Sequence, residues 1–288
     1  MTALAIGLAL AAAALHGTWN VLVKVSGDPM RTFRRATLVA ALVATLVTLV
    51  AWLFAGRPSL TPAAAALAGV SAVLELAYLF LLSAAYRRGE LSVVYPIARG
   101  SAPLLAVGAG LGILGERLTV TQLVGVGLLL IGILAVTLPQ TSGRATVPAL
   151  LTGVSIAAYS AIDRIGVRLS TPWLYGWLLI AILAAGLLVT GFLETRLAAR
   201  RAPAVKLPEP PPVRWPQAAV IGVFMWGGYL LILAALSIAP LSVVAPVRET
   251  AIVAVAVWGV WKLRERKGAA LKLGGASATL IGVALLAL

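Results

Sequence analysis

His16, Glu75, Arg99, Asp163, Arg248 and Glu249 stand inside long apolar runs of this 288-residue chain. Those residue types suggest binding chemistry rather than bond making. An arginine offers a planar fork that matches a carboxylate. A carboxylate takes an amine or holds a proton, and a histidine with its ordinary pKa of about 6.5 exchanges protons at working pH. Polar and aromatic residues accompany them at helical spacing. His16, Trp19 and Asn20 share one face, as do Glu75 with Tyr78, Tyr95 with Arg99, Ser155 with Tyr159 and Asp163, and Trp226 with Tyr229. Together they would wall a cavity for a small zwitterion. Arg99 or Arg248 would hold its carboxylate, His16, Glu75 or Glu249 its amine or a coupled proton, and the aromatic faces its organic part. The alternatives are structural: an ion pair of Glu75 with Arg99 or Arg248, and a hydrogen-bonded spacer at His16. Tyr78, Tyr95, Tyr159 and Trp226 are expected in the cavity. Trp173, Tyr175, Trp215 and Trp261, nearer the ends of apolar runs, are expected in the interfacial aromatic belt.

Catalysis is not expected. There is no H-E-x-x-H and no G-x-S-x-G. A single histidine without cysteine makes no ordinary zinc site. The chain therefore reads as a protein that is not an enzyme and that takes no metal or cofactor.

The elements that position these residues follow from composition. Hydrophobic residues make up 61% of the chain and charged ones only 11%, against about 25% in ordinary soluble domains. Runs of about 20 apolar residues suffice to cross a hydrocarbon core of about 30 Å, and they predict ten transmembrane helices. The expected spans are 2–24, 33–55, 62–86, 91–113, 119–138, 146–168, 173–195, 216–238, 242–262 and 268–288. Barrel strands are excluded because the runs are continuously apolar. Met1–Leu15 lacks a basic leader and runs directly into His16, Trp19 and Asn20, so it reads as the first span rather than a signal peptide.

The net charge of +14 comes from basic residues clustered between the runs, which suits an anionic membrane surface and not nucleic acid. Odd-numbered connections carry Lys24, Arg31, Arg34, Arg35, Arg87, Arg88, Arg144, the basic residues of 196–214, Lys262, Arg264, Arg266 and Lys267. Even-numbered ones carry only Arg57, Arg117, Arg164 and Arg168. The bias predicts odd connections inside and both termini outside, in a multi-pass protein of the plasma (inner) membrane.

The chain also repeats itself. Leu91-Ser92-Val93-Val94-Tyr95-Pro96 returns as Leu241-Ser242-Val243-Val244-Ala245-Pro246, and Leu130-Ile131-Gly132 as Leu280-Ile281-Gly282, both at an offset of 150. The polar hinge Gly115-Glu116-Arg117-Leu118-Thr119 has its echo in Arg264-Glu265-Arg266. Arg99 and Glu249 occupy equivalent places with opposite charge. Such a shared offset predicts an internal duplication, with one five-helix repeat in 1–140 and a second in 145–288. Five is odd, so the second copy enters the bilayer in the opposite sense, the inverted-repeat plan of many secondary transporters. Pro96 and Pro246 fall at matched depth and Pro103 nearby, and all three are expected to bend their helices. Gly108, Gly110, Gly112, Gly125, Gly127, Gly132, Gly274, Gly275 and Gly282 thin the helix surfaces for close packing. That packing is internal, or on spans five and ten it makes a homodimer.

The stretch from Pro96 to Glu116, with its Gly-Glu-Arg-Leu-Thr hinge and the glycine-rich helix after it, resembles the closing portion of an EamA-type repeat. Leu15-His16-Gly17-Thr18-Trp19-Asn20 with Lys24 resembles the start of the first such repeat. Ala157-Ala158-Tyr159-Ser160 with Asp163 and Arg164 resembles the start of the second. The resemblance covers essentially the whole chain and implies the drug/metabolite transporter superfamily in its ten-helix form. It also implies export of amino acids or other small metabolites. One departure from the family is that span one is not preceded by basic residues.

The sequence thus reads as an all-α membrane protein that moves a small polar metabolite, most simply an amino acid, by alternating access. Its expected partners are that substrate, the lipid bilayer and coupled protons. A passive facilitator and a multidrug pump for organic cations are the rivals on the same fold. The pump would want a buried carboxylate at Glu75 with no arginine partner.

Overall fold

The computed structural model describes residues 2–88, 91–137, 146–199, 213–251 and 269–287. Ten α-helices and no strand occur among them: α1 (Thr2–Lys24), α2 (Pro29–Phe54), α3 (Pro62–Arg88), α4 (Leu91–Gly112), α5 (Val120–Thr137), α6 (Thr146–Gly166), α7 (Pro172–Ala199), α8 (Trp215–Ile238), α9 (Leu241–Arg248) and α10 (Ala269–Ala287). Six of these, α1, α2, α3, α6, α7 and α8, are long and apolar enough to cross a membrane.

The helix starts are set by local chemistry. Asp28 accepts hydrogen bonds from the Met30 and Arg31 amides at 3.0 and 3.1 Å, and Pro29 opens the first turn, where its missing N–H costs nothing. That cap starts α2 four residues earlier than the apolar run alone suggested. Helix α4 runs unbroken through Pro96 and Pro103, so neither interrupts it.

Helix α9 departs from expectation. The expected span over 242–262 is interrupted: α9 ends at Arg248, Glu249 and Thr250 form a turn, and Ala251 is helical again. Pro246 has no N–H to give the Ser242 carbonyl. Beyond it the Glu249 amide reaches back to Pro246 and the Thr250 amide to Val247, so the helix tightens and stops. The rest of the expected span, with the Arg264-Glu265-Arg266 echo and Trp261, lies outside the described residues.

The packing has a regular plan. Helix α1 packs on α8 and α6 on α3; α2 packs on α8 and α7 on α3; α4 packs on α6 and α9 on α1. In each pair of contacts, advancing both indices by five, and counting past ten back to one, converts the first into the second. The contacts α2–α7, α4–α9 and α5–α10 convert into themselves.

The outer surface is apolar, and within the largely apolar interior lies a set of buried charged side chains, an arrangement that water-soluble proteins avoid. Leu46, Ile131 and Leu280 are 60–69% exposed, while Glu75, Arg99, Asp163, Arg248 and Glu249 are buried. Close packing of α5 on α10 rests on glycine. A Cβ on Gly282 would lie 2.6 Å from the Gly125 carbonyl oxygen, and one on Gly132 would overlap Thr279 Oγ1 and the Gly275 carbonyl. Gly108, Gly112, Gly127 and Gly274 face open space.

Candidate functional site

The buried polar side chains meet where α3, α4, α6, α8 and α9 pack. Arg99 of α4 donates to both oxygens of Glu249, at 3.1 and 3.3 Å, and Arg248 Nε donates to the same carboxylate at 2.9 Å. Arg248 also donates to Ser160 Oγ of α6 at 3.3 Å. One carboxylate therefore serves two guanidinium groups. The ion pair suggested for Glu75 and an arginine is not found among the described residues; Glu249 takes both arginines because it follows Arg248 directly and its turn swings it toward α4.

Asp163 of α6 sits in a cage of hydroxyls. Its Oδ1 accepts from Ser71 at 2.6 Å and from Tyr175 at 2.9 Å, and its Oδ2 accepts from Tyr229 at 2.5 Å. These donors come from α3, α7 and α8. Three hydrogen bonds offset much of the cost of burying a carboxylate. Glu75 lies against Tyr229 and within electrostatic reach of Asp163 and Arg248.

Tyr175 is a correction to the sequence reading. Expected in the interfacial belt, it is fully buried with its hydroxyl on Asp163. Gly166 makes room for it: a Cβ there would lie 2.6 Å from the ring's Cζ. Trp215 is exposed, with the Arg35 guanidinium 5.1 Å over its ring.

An aromatic row links these groups. Tyr78 and Tyr159 meet edge to face with centroids 5.9 Å apart, and Tyr159 meets Tyr229 at 6.4 Å. Ser155 donates to the Leu74 carbonyl at 2.7 Å and fastens α6 to α3.

The α1 face is built differently. His16 Nδ1 donates to the Ala12 carbonyl at 2.8 Å, and Asn20 donates to the His16 carbonyl while accepting from Tyr86 at 3.0 Å. Trp19 packs between His16 and Phe33. Gly228 lets α8 approach this face, since a Cβ there would lie 2.9 Å from His16 Nδ1. The indole N–H groups of Trp19 and Trp226 are buried with no hydrogen-bond partner among the described residues. The side chain of Tyr95 lies outside the described residues.

Sequence reasoning missed Ser71, Tyr86 and Ser160, whose small or end-of-helix character gave no signal. It also missed what Glu116 does. Glu116 was read as part of a polar hinge, yet its carboxylate is buried against the start of α9.

Comparisons with known proteins bear on fold and family. Residues 3–138 match the model of the EamA-like transporter family. A crystal structure of a protein at 18% identity aligns over 95% of each chain with a TM-score of 0.65, which speaks to the fold alone. No curated protein matches the chain significantly.

Proposed function

Because residues 3–138 match the EamA-like transporter family, part of the drug/metabolite transporter superfamily, we propose that the chain is a membrane transporter of small molecules and that it carries amino acids by alternating access. The proposed molecule is two inverted five-helix repeats, 1–140 and 145–288, in the plasma membrane with both termini outside. The packing plan that advances by five indices supports this duplication, as does the sequence offset of 150.

The observation that carries the substrate reading is the placement of the tyrosine row. Tyr78 and Tyr159 lie within electrostatic reach of both Arg248 and Glu75. A small zwitterion lying along the row would set its carboxylate toward Arg248, which keeps donor capacity beyond its bonds to Glu249 and Ser160. Its amine would meet Glu75. Arg99, occupied by Glu249, would hold α4 to α9 rather than touch substrate. His16, Trp19 and Asn20 on α1 and Trp226 on α8 would complete the wall.

The test is exchange of radiolabelled amino acids in proteoliposomes. Arg248→Gln and Glu75→Gln are each expected to cut exchange at least about tenfold, the effect of about 1.4 kcal/mol of lost binding. Wild-type protein that exchanges no amino acid, or both variants at wild-type rate, would remove the assignment.

Proton-coupled efflux of organic cations is the second reading. Its support is that no ion pair of Glu75 is found among the described residues, which leaves a buried carboxylate available to a cation. A cationic dye driven by an imposed pH gradient would favour it. Transport indifferent to pH gradient and voltage would instead favour a passive facilitator.

A further inference from the structure

We propose that Glu116 is the gating residue on the membrane face that carries the α4–α5, α6–α7 and α8–α9 connections. The inference rests on the alternating-access reading and adds a specific closure to it.

Glu116 follows Gly115, whose φ of 64° turns the chain back after α4. Its Oε1 accepts from the Leu241 amide at 2.7 Å, and its Oε2 accepts from the Ser242 amide at 2.9 Å and the Ser242 hydroxyl at 2.7 Å. Arg164, at the end of α6, pairs with Oε1 at 3.3 Å and also donates to the Leu236 carbonyl near the end of α8. Pro240, the residue before α9, supplies no side-chain cap. The first amides of α9 therefore depend on an acceptor 125 residues away, at the end of the helix dipole that favours an anion. Gly110 is part of the fit, since a Cβ there would lie 2.5 Å from Glu116 Oε2 and 3.2 Å from the Ser242 amide.

An ordinary helix cap travels with its own helix. This one joins a connection of the first half of the chain to three helix ends of the second, so it must break whenever those parts separate on this face. All four donors converge on a single carboxylate, and one rupture frees α9, α6 and α8 together. The latch stabilises the closed arrangement selectively. Once the face opens, water can serve the Leu241 and Ser242 amides, whereas in the closed arrangement only Glu116 reaches them. A crevice of about 300 Å³, lined by Leu114, Glu116, Arg164, Ile165, Arg168 and Leu169, adjoins the latch. The eight-residue helix α9 connects the latch to the buried charges: it begins at Leu241 against Glu116 and ends at Arg248 beside Glu249. Release of its start thus shifts the arginine that faces the substrate.

The chain has no cysteine, so a single reporter reads accessibility without background. Ala245→Cys places one on α9, a turn inside the latch, at a site that is 2% exposed. In sealed vesicles, with a membrane-impermeant maleimide applied from the face of Leu114 and Arg168, Glu116→Gln is expected to speed labelling of that reporter about tenfold or more. That is the population shift expected from losing charge-assisted hydrogen bonds. Glu116→Asp should restore part of the protection, and Arg117→Gln, an exposed neighbour, should leave the rate unchanged. Ser242→Ala, which removes one donor, serves if Glu116→Gln fails to fold. Labelling at the parent rate in folded Glu116→Gln or Ser242→Ala would overturn the proposal. The readout needs no substrate, so it stands apart from the transport assay. Faster labelling in a protein that moves nothing would keep the latch and sink the transport reading, while normal transport at the parent labelling rate would sink the latch alone.

Discussion

Arg99 of α4 and Glu249, which follows α9, lie 150 residues apart, the offset of the proposed repeat, and are ion-paired at 3.1 Å. If the two halves exchange conformations during transport, the separation of two equivalent positions maps onto itself. The pair then persists through the cycle and acts as a pivot. Glu249 is also shared with Arg248, which makes its loss asymmetric. Glu249→Gln deprives two buried guanidinium groups of their common carboxylate and should destabilise by about 3–5 kcal/mol. Arg99→Met leaves Glu249 with Arg248 and should cost distinctly less. Thermal unfolding in detergent decides the order; equal losses would contradict the shared-carboxylate geometry.

The hydroxyl cage of Asp163 gives a second prediction. Tyr175→Phe and Tyr229→Phe each remove one donor from a buried carboxylate and should lower stability by about 1–3 kcal/mol. Only Tyr229 also touches Glu75 and Tyr159, so Tyr229→Phe alone should weaken substrate binding as well. Matched thermal shifts with and without substrate separate the two effects. Identical binding in both variants would detach Tyr229 from the site.

The orphan indole of Trp226 provides a third. A buried N–H with no acceptor carries a penalty of about 1–3 kcal/mol unless a ligand satisfies it. Trp226→Phe should leave the apo protein as stable as before or more so, and should weaken substrate binding measured by calorimetry. Destabilised apo protein with unchanged affinity would show that the indole has no role toward ligand.

Helix packing provides a fourth. Gly132→Ala forces a methyl into Thr279 and the Gly275 backbone and should cost about 1–3 kcal/mol by overpacking, while Gly127→Ala meets nothing within 4 Å and should be silent. A destabilising Gly127→Ala would point to a partner on that outer face.

Threading can be read directly. Val25 follows α1 and Leu169 follows α6, and both are exposed. Single Val25→Cys and Leu169→Cys variants should label from opposite sides of the membrane. Labelling from one side would refute the inverted arrangement of the halves.

Most helix positions were legible in the sequence because an uninterrupted apolar run is a local property; the start of α2 was not, since the Asp28 cap and Pro29 lie outside the apolar run. The offset between Leu91-Ser92-Val93-Val94 and Leu241-Ser242-Val243-Val244, on which the proposed duplication rests, also needs no structure to see. Ionisable residues inside those runs marked the candidate site, because each costs about 2.5–3.5 kcal/mol to insert and so requires company. Which company they keep was not legible. Glu249 rather than Glu75 holds the arginines, Tyr175 leaves the belt for Asp163, and Glu116 reaches across 125 residues to α9. Those partnerships depend on where a turn, a missing Cβ at Gly166 or Gly110, and the packing of distant helices put each side chain. Apolar periodicity carries no information about such distances, so only the tertiary structure could decide them.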